Sequence, residues 1–149
     1  MNFPKDSEIT LTRKPMSEHD EQVALFDWAE LYVREEPRLK LMFAIPNQGG
    51  KGKGAIIRGR KMVEEGLKKG VPDIFLPVVT EGFSGLFIEM KYGKGRLSEE
   101  QTTYLNELTN GGYLCGVCYS FEQAKELIMD YLNSELDLSN PDDVKFNYL

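Results

Sequence analysis

The apolar positions of the chain fall into blocks whose spacing alternates between helical and strand-like. From Ser17 onward Val23, Leu25, Phe26, Trp28, Ala29 and Tyr32 recur at helical intervals through Glu35, which predicts a first helix with Ser17 as N-cap and an end before Pro37. The run LKLMFAIP reads as a short buried strand closed by Pro46. Four glycines in six positions, Gly49, Gly50, Gly52 and Gly54, then exclude regular structure and predict a pliable basic loop. A second helix is expected from about Ala55 to Lys69, stopped by Gly70. VPDIFLPVV and GLFIEMKY, separated by the turn-like TEGFSG, predict a hairpin. Ser98 opens a third helix that Gly111 and Gly112 end, a strand follows from Tyr113 to Tyr119, and a last helix runs from Phe121 to about Asn133 behind Ser120. The order helix, strand, helix, strand, strand, helix, strand, helix predicts an α/β layer fold around a small mixed sheet.

Length and composition bound this picture without changing it. With 149 residues the chain suits one domain, placed at 17–133 between a loose arm at 1–16 and an acidic tail at 134–149. Hydrophobic residues at 41% and charged residues at 28% describe a globular chain, too apolar to be disordered. No run approaches the roughly 20 apolar residues of a membrane helix, and the polar start lacks a secretory core, so a soluble cytoplasmic protein without a membrane partner is expected. Cys115 and Cys118 stand three apart in a predicted strand and therefore point to opposite faces, as core cysteines that neither pair nor share a metal.

Charge does change the picture. A net charge of −6 argues against a protein that coats nucleic acid, yet seven basic residues against two acidic ones lie between Lys51 and Lys69. A basic middle and an acidic tail are compatible with one phosphate-facing surface on an acidic protein. Lys51, Lys53, Arg58 and Arg60, with Lys94 and Arg96 further on, are the candidate DNA-binding cations. The glycine-rich loop lacks the Lys-Ser or Lys-Thr of a P-loop, so it is not expected to hold a nucleotide.

Candidate chemistry concentrates in VPDIFLPVVTEGFSGLFIEMKY. Glu89 and Lys91 are two apart in a strand and leave the same face, while Ile88 and Met90 leave the other. Burying such a pair costs several kcal/mol that mutual attraction only partly returns, so stability alone explains it poorly. Asp73 opens the preceding strand, and in a hairpin its carboxylate would sit beside that of Glu89. Two such carboxylates repel unless a divalent cation such as Mg²⁺ or Mn²⁺ lies between them, and those ions keep waters that can attack a phosphate.

Pro72-Asp73 followed by Glu89-Met90-Lys91 resembles the signature of the PD-(D/E)xK nuclease superfamily. SEHDEQVALFDW, PNQGGKGKG, KKGVPDIFLP and LFIEMKYGKGRLSEEQTTYL occur in the order and approximate spacing of the VRR-NUC family within it, over roughly Ser17 to Leu132. The resemblance implies a restriction-endonuclease-like core and a divalent-metal phosphodiesterase acting on DNA. It places metal binding on Asp73, Glu89 and the carbonyl of Met90, and activation of the nucleophile on Lys91. It further implies an acidic residue in the first helix, for which Glu18, four before Gln22 on one helical face, is the candidate and Glu21 the alternative. The family's glutamine falls on Gln101, with Tyr104 one turn on. Small stand-alone, phage-type members resemble junction-resolving enzymes, which implies a homodimer cutting branched DNA in replication, recombination or repair of a compact, viral genome.

Plainer roles compete for several of these positions. Glu89 and Lys91 could form a surface cross-strand ion pair, and Asp73 could be a turn residue after Pro72. Gln101 completes a capping box with Ser98, Glu18 favours a helix N-terminus through the dipole, and His19 reads as a solvated first-turn residue. The rival functional reading is a non-catalytic DNA-binding module with a nuclease-like fold, and a third is an adaptor using its acidic tail.

Overall fold

The computed structural model describes residues 16–47 and 52–136. Most of the predicted arm and tail therefore lies outside the described residues, as do Lys51 and the glycines at 49 and 50. The first helix, α1, spans Glu18–Tyr32 and begins in a full capping box: Ser17 Oγ accepts from the Asp20 N–H at 3.1 Å and the Asp20 carboxylate accepts from the Ser17 N–H at 2.9 Å. It ends short of Glu35, and Leu25 and Ala29 are its buried apolar residues.

The expected strand in LKLMFAIP is largely replaced. Pro37–Leu41 forms a 3-10 helix, started by the proline at its first position and by the Glu36 carboxylate accepting from the Arg38 N–H at 3.2 Å. Only Phe43–Ala44 remains extended, as β1, and it is exposed, not buried. Leu39 and Met42 carry the burial of this run instead. Helix α2 spans Lys53–Glu64, earlier at both ends than expected. Gly66, at φ +107°, lies just beyond its last residues, ahead of Gly70. None of its residues is buried, and Ile56 and Ile57 are each 59% exposed.

The remaining elements match their sequence patterns closely. They are β2 at Ile74–Leu76, β3 at Leu86–Met90, α3 at Glu99–Asn110, β4 at Leu114–Cys118 and α4 at Phe121–Asn133. Ser98 and Ser120 cap the two helices, each accepting from the backbone N–H three residues on. The sheet runs in the order β1-β2-β3-β4, antiparallel between the first three strands and parallel between β3 and β4, which α3 connects.

Period-two alternation splits the core between the two faces of this sheet. Ile74, Leu76, Leu86, Ile88, Met90, Leu114 and Cys118 pack with Leu25 of α1 and Leu127, Ile128 and Tyr131 of α4. Phe87, Cys115 and Val117 pack on the opposite face with Leu105 of α3, and the Phe75 and Phe87 rings stack at 4.2 Å. Both cysteines are free and buried, one in each core. With helices over both faces, β3 is buried at every position, so Glu89 is forced out of water by its place in the sheet.

Candidate active site

At the end of β3 the sheet, its flanking segments and the first turn of α3 bring five polar side chains to one place. Asp73 immediately precedes β2, and because Ile74 pairs with Ile88 in the antiparallel register, Asp73 comes opposite Glu89. Asp73 Oδ2 accepts from the Met90 N–H at 2.8 Å, and Oδ1 takes a long contact of 3.5 Å from Asn47 Nδ2. Lys91 Nζ donates to Glu89 Oε1 at 2.8 Å, and Gln101 Nε2 donates to the same oxygen at 2.6 Å. Asp73, Glu89 and Lys91 are all buried, Glu89 to within 1% of complete exclusion from solvent.

Gln101 holds both positions considered for it. Its Oε1 accepts from the Ser98 N–H at 2.9 Å in a complete capping box while its Nε2 reaches Glu89. Glu18 and Glu21 separate clearly. Glu18 projects into a cleft that Gln22, Asn47 and Asp73 also line, and it interacts electrostatically with Asp73, Glu89 and Lys91. Glu21 is buried elsewhere, accepting from the Phe121 N–H at the start of α4 at 2.6 Å. His19 is an exposed first-turn residue that lines the same cleft as Glu18. Asn47, in the segment PNQGG, was not singled out in the sequence; its closeness to Asp73 appears only once β1 and β2 pair.

Electrostatics disfavour the full charge of the carboxylates in this cluster. Burial first, then the Asp73 charge, pushes the Glu89 carboxyl up to about 7 against the pull of Lys91. Burial also raises Asp73, against the Met90 N–H and Lys91, and raises Glu18. Burial opposes the charge of Lys91, yet the Glu89 hydrogen bond and the charges of Glu89, Glu18 and Asp73 hold its ammonium above the ordinary lysine value. Glu89 Oε2 is buried with no hydrogen-bond partner among the described residues. An orphaned carboxylate oxygen costs free energy that only a donor or a cation recovers.

That orphan and the facing Asp73 suit a small hard cation. Among the described residues no group of three or more His, Cys, Asp or Glu side chains could hold a metal ion. An ion at this place would have few carboxylates and many waters or carbonyl oxygens, which is how Mg²⁺ is ordinarily held. Of the other predicted cations, Lys53, Arg58 and Arg60 are exposed along α2, and Lys94 and Arg96 are exposed in the segment after β3. No described helix is long and apolar enough to cross a membrane.

A search of curated protein sequences finds no match. Among solved structures, one described as a VRR_NUC domain protein superposes with a TM-score of 0.66 over 81% of this chain and 92% of its own, at 21% identity. The VRR-NUC domain model matches residues 17–122, well over half of the sequence. By this match the chain belongs to the VRR-NUC family, a membership that implies nuclease-type function.

Proposed function

We propose that this protein is a divalent-metal-dependent DNA endonuclease selective for branched DNA, with its site on Asp73, Glu89, Lys91, Gln101 and Glu18. The observation that carries the reading is the buried Oε2 of Glu89, without a hydrogen-bond partner among the described residues, beside a second carboxylate and a lysine. Asp73, Glu89 and the Met90 carbonyl would hold Mg²⁺ or Mn²⁺, with Glu18 reaching that ion through water or serving a second one. Such an ion, when bound, polarises the phosphate and makes water a better nucleophile at neutral pH.

The chain's own residues supply the rest. Lys91, held beside the site by its 2.8 Å hydrogen bond to Glu89 Oε1, would orient or deprotonate the attacking water and offset the extra charge that builds on phosphate oxygens during in-line attack. Gln101 and Lys91 together fix Oε1 of Glu89, which leaves Oε2 as the oxygen that would take a cation. The Met90 N–H holds Asp73 Oδ2 in the same way. Flanking cations would track the DNA backbone by charge, a mode that follows shape and not sequence. Cutting both arms of a junction needs two such sites, so a homodimer is part of the proposal.

The test is cleavage of a labelled panel of linear duplex, single strand, flap and four-way junction, with Mg²⁺, Mn²⁺ or chelator, for wild type and Asp73→Ala. Expected is metal-dependent cutting of the branched members, lost in the variant. Binding without cutting across the panel would leave a DNA-binding module instead. A second expectation concerns the surface: Lys53→Ala, Arg58→Ala and Arg60→Ala combined should weaken DNA binding and reduce the slope of log affinity against log salt by about 1 to 3. An unchanged slope in a titration over salt would place the DNA elsewhere.

A further inference from the structure

Gly70 lies in the link between α2 and β2 at φ +82°, a conformation that disfavours residues with a side chain. It also lies against the first turn of α3 at a distance that permits no side chain. A Cβ at this position would come within 2.6 Å of the Glu100 carbonyl carbon and oxygen and 2.9 Å of the Gln101 nitrogen. The opposing atoms are backbone, so no rotamer change relieves the contact; either the link or the first turn of α3 must move. That turn is the one whose capping box orients the Gln101 side chain toward Glu89. The peptide between residues 100 and 101 is thus bounded by Gly70 on one side, while the Gln101 amide is bound to Glu89 on the other.

We infer that Gly70 is a positioning residue for the metal-binding carboxylate. The bare backbone of Gly70 sets how closely α3 approaches the sheet, and hence whether Gln101 reaches Oε1 of Glu89 and leaves Oε2 to the reaction. This rests on the nuclease reading for its consequence in catalysis, though not for the geometry. Gly66 supplies the matched control in the same link: its φ is +107°, yet a Cβ there would meet nothing within 4 Å.

The experiment compares Gly70→Ala with Gly66→Ala in two readouts: kcat and KM for cutting, and the side-chain amide resonances of Gln101 by NMR. Gly70→Ala is expected to lower kcat about 10- to 100-fold with KM little changed. The Gln101 amide pair should move toward the positions of exposed glutamine and exchange faster with solvent. Gly66→Ala carries similar backbone strain and should leave both readouts near wild type. In a Gln101→Ala background the further loss from Gly70→Ala should fall below about twofold, because coupled residues are not additive. Should Gly70→Ala not fold, Gly70→Asn tolerates a positive φ better while keeping the obstructing Cβ. An undisturbed Gln101 amide, or a full kcat loss persisting without Gln101, would overturn the inference. Release of the amide in a protein whose wild type cuts nothing would sustain the positioning role and sink the nuclease reading.

Discussion

A Glu89→Gln variant should cut its DNA at least about 10³-fold more slowly than wild type and yet be more stable than wild type at pH 8 without divalent cation. The two effects have one cause. Glu89 is forced into the sheet interior by its place in β3, where burial and Asp73 disfavour its charge more than Lys91 supports it. Glutamine keeps the shape, and its single carbonyl oxygen in the place of Oε1 can still accept from Lys91 and Gln101, while the charge that burial and Asp73 disfavour is gone. A group retained at a cost to stability is the pattern of a residue kept for chemistry. Steady-state cutting and thermal unfolding of the same two preparations check it. Loss of activity together with a lower melting temperature would mean that Glu89 holds the fold together and that its catalytic assignment is wrong.

The metal-free protein should also lose stability as pH rises from 5 to 8, and added Mn²⁺ should restore it at pH 8 but not at pH 5. In the folded state Glu89 keeps its proton up to about pH 7, whereas an ordinary glutamate in the unfolded chain loses it near 4.5. Between these values the folded state binds more protons, so its stability is fully present below the lower one and declines through the upper one. The size of the decline is about 3 kcal/mol, or on the order of 10 °C in melting temperature for a domain of this size. Asp73 and Glu18, both raised, push in the same direction. A cation binds the ionised carboxylates and releases their protons, so its stabilisation grows over the same window. Melting curves at several pH values, with chelator or Mn²⁺, give the result directly. A flat profile in chelator would show that Glu89 titrates as an ordinary carboxylate.

How much of this was visible beforehand differs from element to element. Helices α1, α3 and α4 were legible because each starts at a serine whose cap precedes an apolar stripe, and the capping box at Ser98 could be named from its letters. Strands β2, β3 and β4 were legible from short apolar runs, and alternation alone put Cys115 and Cys118 on opposite faces. The segment from Pro37 to Pro46 misled because its apolar residues serve two purposes: Leu39 and Met42 are buried, while Leu41 and Phe43 are exposed. Proline at the first position and the Glu36 cap turned the run helical, a local choice that an apolar count does not register. Helix α2 stops early because Gly66, at φ +107°, follows its C-cap Glu65 and ends it one turn before Gly70, the stop expected from the sequence.

For the site, the residue types and their strand phase were determined by the sequence itself. Spacing of two puts Glu89 and Lys91 on one face of any strand they occupy, and no tertiary arrangement can alter that. What only the tertiary structure decided is which distant residues meet them. Glu18 and Glu21 are equivalent letters in one helix turn, and it took the packing of α1 against α4 to bind Glu21 to Phe121 and leave Glu18 facing Asp73. The dual engagement of Gln101 and the closeness of Gly70 to its backbone belong to the same class. Periodicity within one element follows from covalent geometry, whereas contact between elements depends on how side chains pack across the layers, and that is settled only when the whole core closes.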